Sequence, residues 1–208
     1  MRYIQRQPEP AFLVEFKSLN KGHKPALAYR YLDDMKDGRK LRSRLRVHLT
    51  ESQGYLCAYC CRRIYSQAQG DASSHVEHIC PQSVNDGRSL TYENLVASCS
   101  DNNSCGMKRK NEYDESLFVS PLEPDCASHF KFYEDGSVRG TDERGEYTCR
   151  ILGLDSERLR QGRSARIQEV RSVESSGMEP QDYIAFLKED RGREGQLVEY
   201  LDMLEQIF

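Results

Sequence analysis

The chain has 208 residues, of which 38% are hydrophobic and 30% charged, with a net charge of -3 at pH 7. It has no apolar run of membrane length and no apolar stretch near its start typical of an export signal, so we expect a cytoplasmic protein without membrane contact. The slight acidity argues against a protein that coats nucleic acid through its overall charge. Basic residues nevertheless cluster at Arg39, Lys40, Arg42, Arg44 and Arg46, and again at Lys108, Arg109 and Lys110.

The N-terminal quarter predicts an arm followed by two helices. Proline and glycine punctuate the stretch up to Pro25, which favours an extended arm. Apolar residues at helical spacing then predict one helix from Pro25 to about Gly38 and a second from Arg39 to Gln53. His48 lies on the apolar face of the second helix, where a packed and hydrogen-bonded histidine is expected rather than a metal ligand. We take residues 1–53 as the N-terminal unit.

Eight cysteines in a chain without an export signal favour metal ligands or buried thiols over disulfides. Cys57 and Cys60 have the two-residue spacing of a zinc knuckle, and Cys99 and Cys105 form a second, wider pair. A structural zinc ion binds four thiolates at tetrahedral corners. The sequence therefore predicts a structural Zn²⁺ site at these four cysteines, with Cys61 as an alternative to its neighbour Cys60.

The segment between the two cysteine pairs carries histidine, glutamate and asparagine. H-V-E-H-I alternates like a short strand, residues 94–98 predict a second strand, and residues 108–116 predict a helix, which is the order of a two-strand-plus-helix metal finger. Phosphodiester hydrolysis needs a base to activate water and a hard cation to neutralise charge on the phosphate, and His78 and Glu77 offer these two chemistries. Asn94 could fix the loop backbone, because its amide both donates and accepts hydrogen bonds.

The last third of the chain predicts a hairpin followed by helices. The stretch from Cys126 to Gly140 alternates around an Asp-Gly turn, and His129 within it is expected to be structural or exposed. Helical patterns begin at Leu154 and run from Pro180 to Glu189 and from Gln196 to Phe208. The predicted fold class is α+β and mostly helical, with a nuclease core at 54–120 and a hairpin and helical region at 121–208.

The pattern C-x-x-C, E-H-I-x-P-x-S, N-L and two further cysteines resembles the HNH endonuclease superfamily with its ββα-metal finger. The wider set of motifs resembles PtuB, the HNH subunit of Septu and retron anti-phage systems. The motifs cover only the segment from Cys57 to Lys110. By position, the resemblance makes His78 the base that activates water and Glu77 a ligand of a catalytic Mg²⁺ or Mn²⁺. It makes Asn94 the residue that orders the loop.

The remaining ligand of the catalytic cation is where the sequence departs from the family. The family commonly places Asn or His directly after the last cysteine, whereas Gly106 follows Cys105 here. Asn103 is the first choice for the ligand, and Asn102 and His75 are the alternatives.

Substrate and partners follow from the same resemblance. Lys108 and Arg109 are expected to bind substrate phosphate. The resemblance implies a metal-dependent endonuclease acting on DNA or RNA, the toxic effector of an anti-phage complex. Its expected partners are a PtuA-like ABC/SMC-type ATPase and a retron reverse transcriptase with its reverse-transcribed DNA. Two alternatives stay open, a ribonuclease that cuts structured RNA such as tRNA and a non-catalytic zinc adaptor that binds nucleic acid or protein.

Overall fold

The computed structural model of the protein describes residues 1–33, 41–67, 70, 72–190 and 195–208. These residues form helices and two small two-stranded sheets, which confirms the predicted mixture of helices and strands. The helices are α1 Ala11–Leu19, α2 Pro25–Arg30, α3 Leu41–Ser52, α4 Cys105–Arg109, α5 Glu143–Leu152, α6 Glu157–Ser172, α7 Pro180–Glu189 and α8 Leu201–Ile207. The strands are β1 Ser74–His78, β2 Leu95–Cys99, β3 Phe130–Phe132 and β4 Val138–Gly140. Within the described residues, the helices are too short or too polar to cross a membrane.

The N-terminal segment is only partly the arm that the sequence predicts. Residues 1–10 are extended, and the Ile4 amide donates to the Pro121 carbonyl at 2.8 Å. Helix α1 follows, because Pro10 fixes an extended N-cap and the buried Leu13 and Phe16 are spaced to share one helix face. The arm prediction is therefore wrong for residues 11–19. The predicted end of the next helix near Gly38, and Arg39 and Lys40 of the basic cluster, lie outside the described residues.

The central sheet and α4 follow one another in the order strand, strand, helix. β1 lies between the cysteine pairs, β2 ends at Cys99 and α4 begins at Cys105. β1 pairs antiparallel with β2 in a register that places Glu77 opposite Val96 and His78 opposite Leu95. Side chains alternate along a strand, so Glu77 and His78 point to opposite faces. The helix predicted at 108–116 begins and ends earlier, since Lys110 follows α4 with a left-handed φ of 55°.

The C-terminal third confirms the predicted hairpin and adds one helix that the sequence reading missed. β3 and β4 pair antiparallel around the Asp-Gly turn, where Gly136 has a φ of 80°. α5 follows directly, capped by the Asp142 carboxylate, and α7 has the predicted bounds. The last helix begins at Leu201 rather than at Gln196, because Leu197 packs on Gly54 and Tyr200 adopts a left-handed conformation.

Two groups of buried residues hold these elements together. The larger includes the cysteine quartet, the central sheet and the inner faces of α1, α3 and α5. The smaller joins α6, α7 and α8 through residues such as Ile167, Leu187 and Leu204. Burial of this kind stabilises the fold by about 25 cal/mol per Å² of apolar surface. The cysteine quartet and the central sheet are thus part of the larger core.

Candidate functional site

The four cysteines of the predicted zinc site lie together in the fold. The sulfurs of Cys57, Cys60, Cys99 and Cys105 are all within 4.8 Å of one another, and all four residues are buried. The Cys57 and Cys105 sulfurs are 3.7 Å apart, close to the edge of ~3.8 Å expected of a tetrahedron with Zn–S bonds of ~2.3 Å. This donor set fits a zinc ion, so the cluster could bind one.

Backbone hydrogen bonds place the first cysteine pair against the second. The Ala58 amide donates to the Ala97 carbonyl at 3.1 Å, which docks the Cys57–Cys60 turn on β2. The Cys99 amide donates to the Cys57 sulfur at 3.3 Å. Burial opposes ionisation of Cys57, but hydrogen bonds from the three other thiols together lower its pKa well below the usual value. Cys61 packs with the C-terminal residues instead, so the quartet contains Cys60 and not Cys61.

His78 lies at the end of β1 in a half-buried pocket. Its Nε2 is 3.1 Å from the Ser89 carbonyl, and its ring meets the Tyr29 ring edge-on with centroids 4.7 Å apart. A carbonyl oxygen only accepts, so Nε2 carries the proton and donates, leaving the lone pair on Nδ1. Burial lowers the pKa of His78 below its usual value. The hydrogen bond to Ser89 and the charge of Glu77 oppose this shift, and the charges of Arg109 and Arg42 add to it. His78 is therefore a neutral imidazole at pH 7 that can accept a proton at Nδ1.

Asn94 is buried and binds the loop that follows His78. Its Oδ1 accepts from the Cys80 amide at 2.7 Å, and its Nδ2 donates to the carbonyls of Cys80 at 3.0 Å and Arg88 at 3.2 Å. These bonds join the two ends of the loop 79–94. The loop carries Ser89, so Asn94 positions the carbonyl that fixes the imidazole.

Glu77 faces α4 on the other side of the sheet. One carboxylate oxygen accepts from the Arg109 guanidinium, and the other lies 3.2 Å from Nε2 of His75. The Arg109 side chain is 1% exposed and also donates to the Ile79 carbonyl at 2.7 Å and the His78 carbonyl at 2.6 Å. Both oxygens of Glu77 thus already have partners from the protein.

Of the residues proposed to hold the catalytic cation with Glu77, His75 is the one that contacts it among the described residues. Gly106 is the residue of α4 that faces Glu77, since a Cβ there would lie 2.5 Å from the carboxyl carbon. Asn102 and Asn103 are exposed on the loop before α4, and the Asn103 amide donates to Asp101 at 3.0 Å. Among the described residues, no hydrogen bond joins the Asn103 side chain to Glu77. This arrangement does not fit a divalent cation held by Glu77 and Asn103, although His75 does share the face of Glu77.

The two predicted phosphate-binding cations are also occupied. Arg109 is buried in its pair with Glu77. Lys108 is exposed and donates to the Arg150 carbonyl at 3.3 Å, at the end of α5. Neither side chain is placed on the His78 face of the sheet.

Sequence reasoning missed three groups that surround His78. Tyr29 packs on its ring, Ser89 supplies the carbonyl, and the Arg42 guanidinium lies 4.9 Å from the centre of the Tyr29 ring. Any residue has a backbone carbonyl, so the sequence does not single out Ser89. Tyr29 and Arg42 have no feature in the sequence that separates them from other residues on helix surfaces. The run of arginines at 42, 44 and 46 on α3 is the signal in the sequence that points to Arg42.

Comparison with known proteins supports the resemblance to HNH endonucleases. No protein-family model matches the chain. The chain is 34% identical over 140 residues to a Vibrio cholerae serotype O1 biovar El Tor protein named "Retron Vc95 putative HNH endonuclease". The match covers 61% of this chain and 64% of that relative, so it spans less than two thirds of the relative's length. This similarity supports the resemblance to the HNH endonuclease superfamily, and the name of the relative associates that protein with a retron.

Proposed function

We propose that the protein is an endonuclease that hydrolyses phosphodiester bonds in nucleic acid, with His78 as the general base. The observation that carries the proposal is the fixed imidazole of His78, whose Nε2 donates to the Ser89 carbonyl at 3.1 Å. That bond leaves Nδ1 as the proton acceptor. Because burial keeps the ring neutral at pH 7, Nδ1 can take the proton of a water that attacks phosphorus.

The surrounding residues support this role by holding the imidazole still. Asn94 ties both ends of the loop that carries Ser89, and the Tyr29 ring closes one side of the pocket. The cysteine quartet, with zinc bound, would fix β2 against the turn at Cys57 and so anchor the strand that pairs with β1. A base is effective only when its position relative to the attacking water is fixed.

Arg42 is the cation that we assign to the substrate phosphate. It lies on the Tyr29 ring and donates to the Tyr29 carbonyl at 3.3 Å, on the same side of the sheet as His78. A planar guanidinium can bind two phosphate oxygens at once and stabilise negative charge in the transition state. It takes the role that the sequence assigned to Lys108 and Arg109.

We propose separately that cleavage requires Mg²⁺ or Mn²⁺, as the resemblance implies. A hard divalent cation would neutralise charge on the phosphate and on the departing oxygen. The present arrangement of Glu77, Arg109 and Gly106 does not supply its site, so no step above depends on it. Measuring cleavage with and without each ion tests this part alone.

The name of the Vibrio cholerae relative supports a biological setting in a retron. We propose that the chain is the toxic effector of an anti-phage complex of the Septu or retron type. A PtuA-like ATPase, and a reverse transcriptase with its reverse-transcribed DNA, are the proposed partners. The substrate is DNA or RNA, since backbone phosphates carry no sequence information.

One observation favours a second candidate, a zinc adaptor that binds nucleic acid without cutting it. The carboxylate expected to hold a catalytic cation is neutralised by Arg109, and the neighbouring position is a glycine. An adaptor would need the cysteine quartet but not a neutral imidazole at His78.

Replacing His78 with alanine in the full chain separates the two candidates. His23→Ala is the matched control, because His23 is an exposed histidine outside the pocket. Both variants are incubated with DNA and with RNA, alone and with the ATPase partner. We expect His78→Ala to lose ~10²- to 10⁴-fold in cleavage rate while it stays folded with unchanged zinc content, and His23→Ala to cut normally. Equal cutting by wild type and His78→Ala would refute the role of His78, and binding without any cutting would favour the adaptor.

A further inference from the structure

A second group of metal-binding side chains lies outside the cysteine quartet and the His78 pocket. A ring nitrogen of His129 and one carboxylate oxygen each from Glu123 and Asp125 lie within 4.8 Å of one another. His129 ends the 3-10 turn Cys126–His129, Asp125 directly precedes the turn, and Glu123 lies two residues before Asp125. Acidic groups alone often lie together without an ion, so the evidence for a metal site rests on the histidine.

His129 is held in the orientation that metal-binding histidines adopt. Its Nδ1 lies 2.6 Å from the Asp142 carboxylate, whose other oxygen accepts from the Gly145 amide at 2.8 Å and so caps α5. A carboxylate accepts, so Nδ1 carries the proton and Nε2 has the lone pair. Such a carboxylate fixes the tautomer and makes the free nitrogen a better ligand.

The free nitrogen is buried without a partner. The His129 side chain is only 10% exposed, and Nε2 has no hydrogen bond to any described residue. Buried polar atoms are nearly always satisfied, so this orphan atom calls for a ligand. Because Asp142 occupies Nδ1, we assign Nε2 as the nitrogen that would bind an ion together with Glu123 and Asp125.

We propose that Glu123, Asp125 and His129 form a binding site for a divalent transition-metal ion of the Zn²⁺ class. One imidazole and two carboxylates are a donor set that zinc accepts, and the exposed Asp125 leaves room for water in the remaining position. Glu123 also accepts from Arg144 at 2.8 and 2.9 Å and from the Ser120 amide at 2.9 Å, so the ion would replace Arg144 on one of its oxygens. The carboxylates of Asp125 and Asp142 add negative charge around His129, which favours a bound cation.

The bound ion would join two parts of the C-terminal region. Glu123 and Asp125 belong to the loop after Pro121, and His129 is tied through Asp142 to the start of α5. The same loop receives the N-terminal arm, because Ile4 donates to Pro121. The ion would therefore fix the loop on which the arm rests, independently of nuclease activity.

The test is the zinc content of the full chain after dialysis against a zinc buffer. We expect about two zinc ions per wild-type chain, one in the cysteine quartet and one here, and about one in His129→Ala. Asp125→Asn changes an exposed residue and covers the case in which His129→Ala fails to fold. Its second zinc should bind at least ~10-fold more weakly. Replacing zinc by Co²⁺ separates the two sites, because only thiolate-bound cobalt shows sulfur-to-metal charge-transfer absorption.

Two controls exclude other histidine and carboxylate sites. His23→Ala removes an exposed histidine, and Glu77→Gln removes the carboxylate beside His75. Both should keep the second zinc. Three results would each overturn the proposal: a single zinc in the wild type, a second zinc that persists unweakened in the folded His129 and Asp125 variants, or loss of the second zinc from Glu77→Gln that circular dichroism shows to be folded.

Discussion

The pair of Glu77 and Arg109 offers the most direct test of how the central sheet is held to α4. We predict that Glu77→Gln destabilises the protein, because it removes the counter-charge of a guanidinium that is only 1% exposed. Glutamine keeps the shape of the side chain and can still accept one hydrogen bond. The variant therefore isolates the effect of charge on the folded state.

The expected loss follows from the surroundings of Arg109. Breaking a buried ion pair by removing one partner costs about 3 to 5 kcal/mol, because the remaining charge is uncompensated. Arg109 keeps its hydrogen bonds to the carbonyls of His78 and Ile79, which favours the lower end of that range. We expect a loss of about 3 kcal/mol, which for a chain of this size lowers the melting temperature by ~6 to 12 °C.

Thermal unfolding followed by circular dichroism, with zinc present throughout, measures the effect. Glu115→Gln is the matched control, since the exposed pair of Glu115 and Arg88 should contribute less than about 1 kcal/mol. Adding Arg109→Met to Glu77→Gln should recover part of the loss by removing the stranded charge. An unchanged melting temperature in Glu77→Gln, together with lost cleavage, would refute the structural role and favour Glu77 as a cation ligand.

Three further predictions concern the cysteine quartet and the His78 pocket. Cys57→Ser should lower the zinc content and expose the central sheet to limited proteolysis, and strong chelators should do the same to the wild type, because structural zinc supplies folding free energy. Asn94→Ala should cost about 3 kcal/mol in urea unfolding, since it leaves the buried Cys80 amide unpaired; an unchanged midpoint would contradict the assigned bonds. Cleavage should fall as the pH drops, with a midpoint below the usual histidine value of 6.5, because burial lowers the pKa of His78 and only the neutral ring accepts a proton. A midpoint above 6.5 in the pH-rate profile would contradict this.

Local signals in the sequence located several elements well. α7 has its predicted bounds because Pro180 starts it and apolar residues follow at helical spacing. The hairpin of β3 and β4 follows from the Asp-Gly turn. The cysteine quartet could be predicted from the sequence, because two cysteine pairs around a short segment are typical of a metal site.

Contacts between distant residues decided where the sequence reading failed. α8 starts late because Leu197 packs on Gly54, a contact with no trace in the residues around either position. α1 forms where an arm was predicted, because the larger core buries Leu13 and Phe16. The partner of Glu77 was missed for the same reason, since Arg109 lies 32 residues further along the chain.

Gly106 and Arg109 are best understood together. With no side chain at position 106, the Glu77 carboxyl can approach α4 closely, and it then lies within reach of the Arg109 guanidinium one helical turn later. A side chain at 106 would occupy the space of that carboxyl, so the ion pair depends on the glycine. The departure from the family pattern and the buried arginine therefore have one cause. On the Glu77 face this chain has the buried guanidinium of Arg109, whereas His78, the residue proposed as the general base, lies on the opposite face of the sheet.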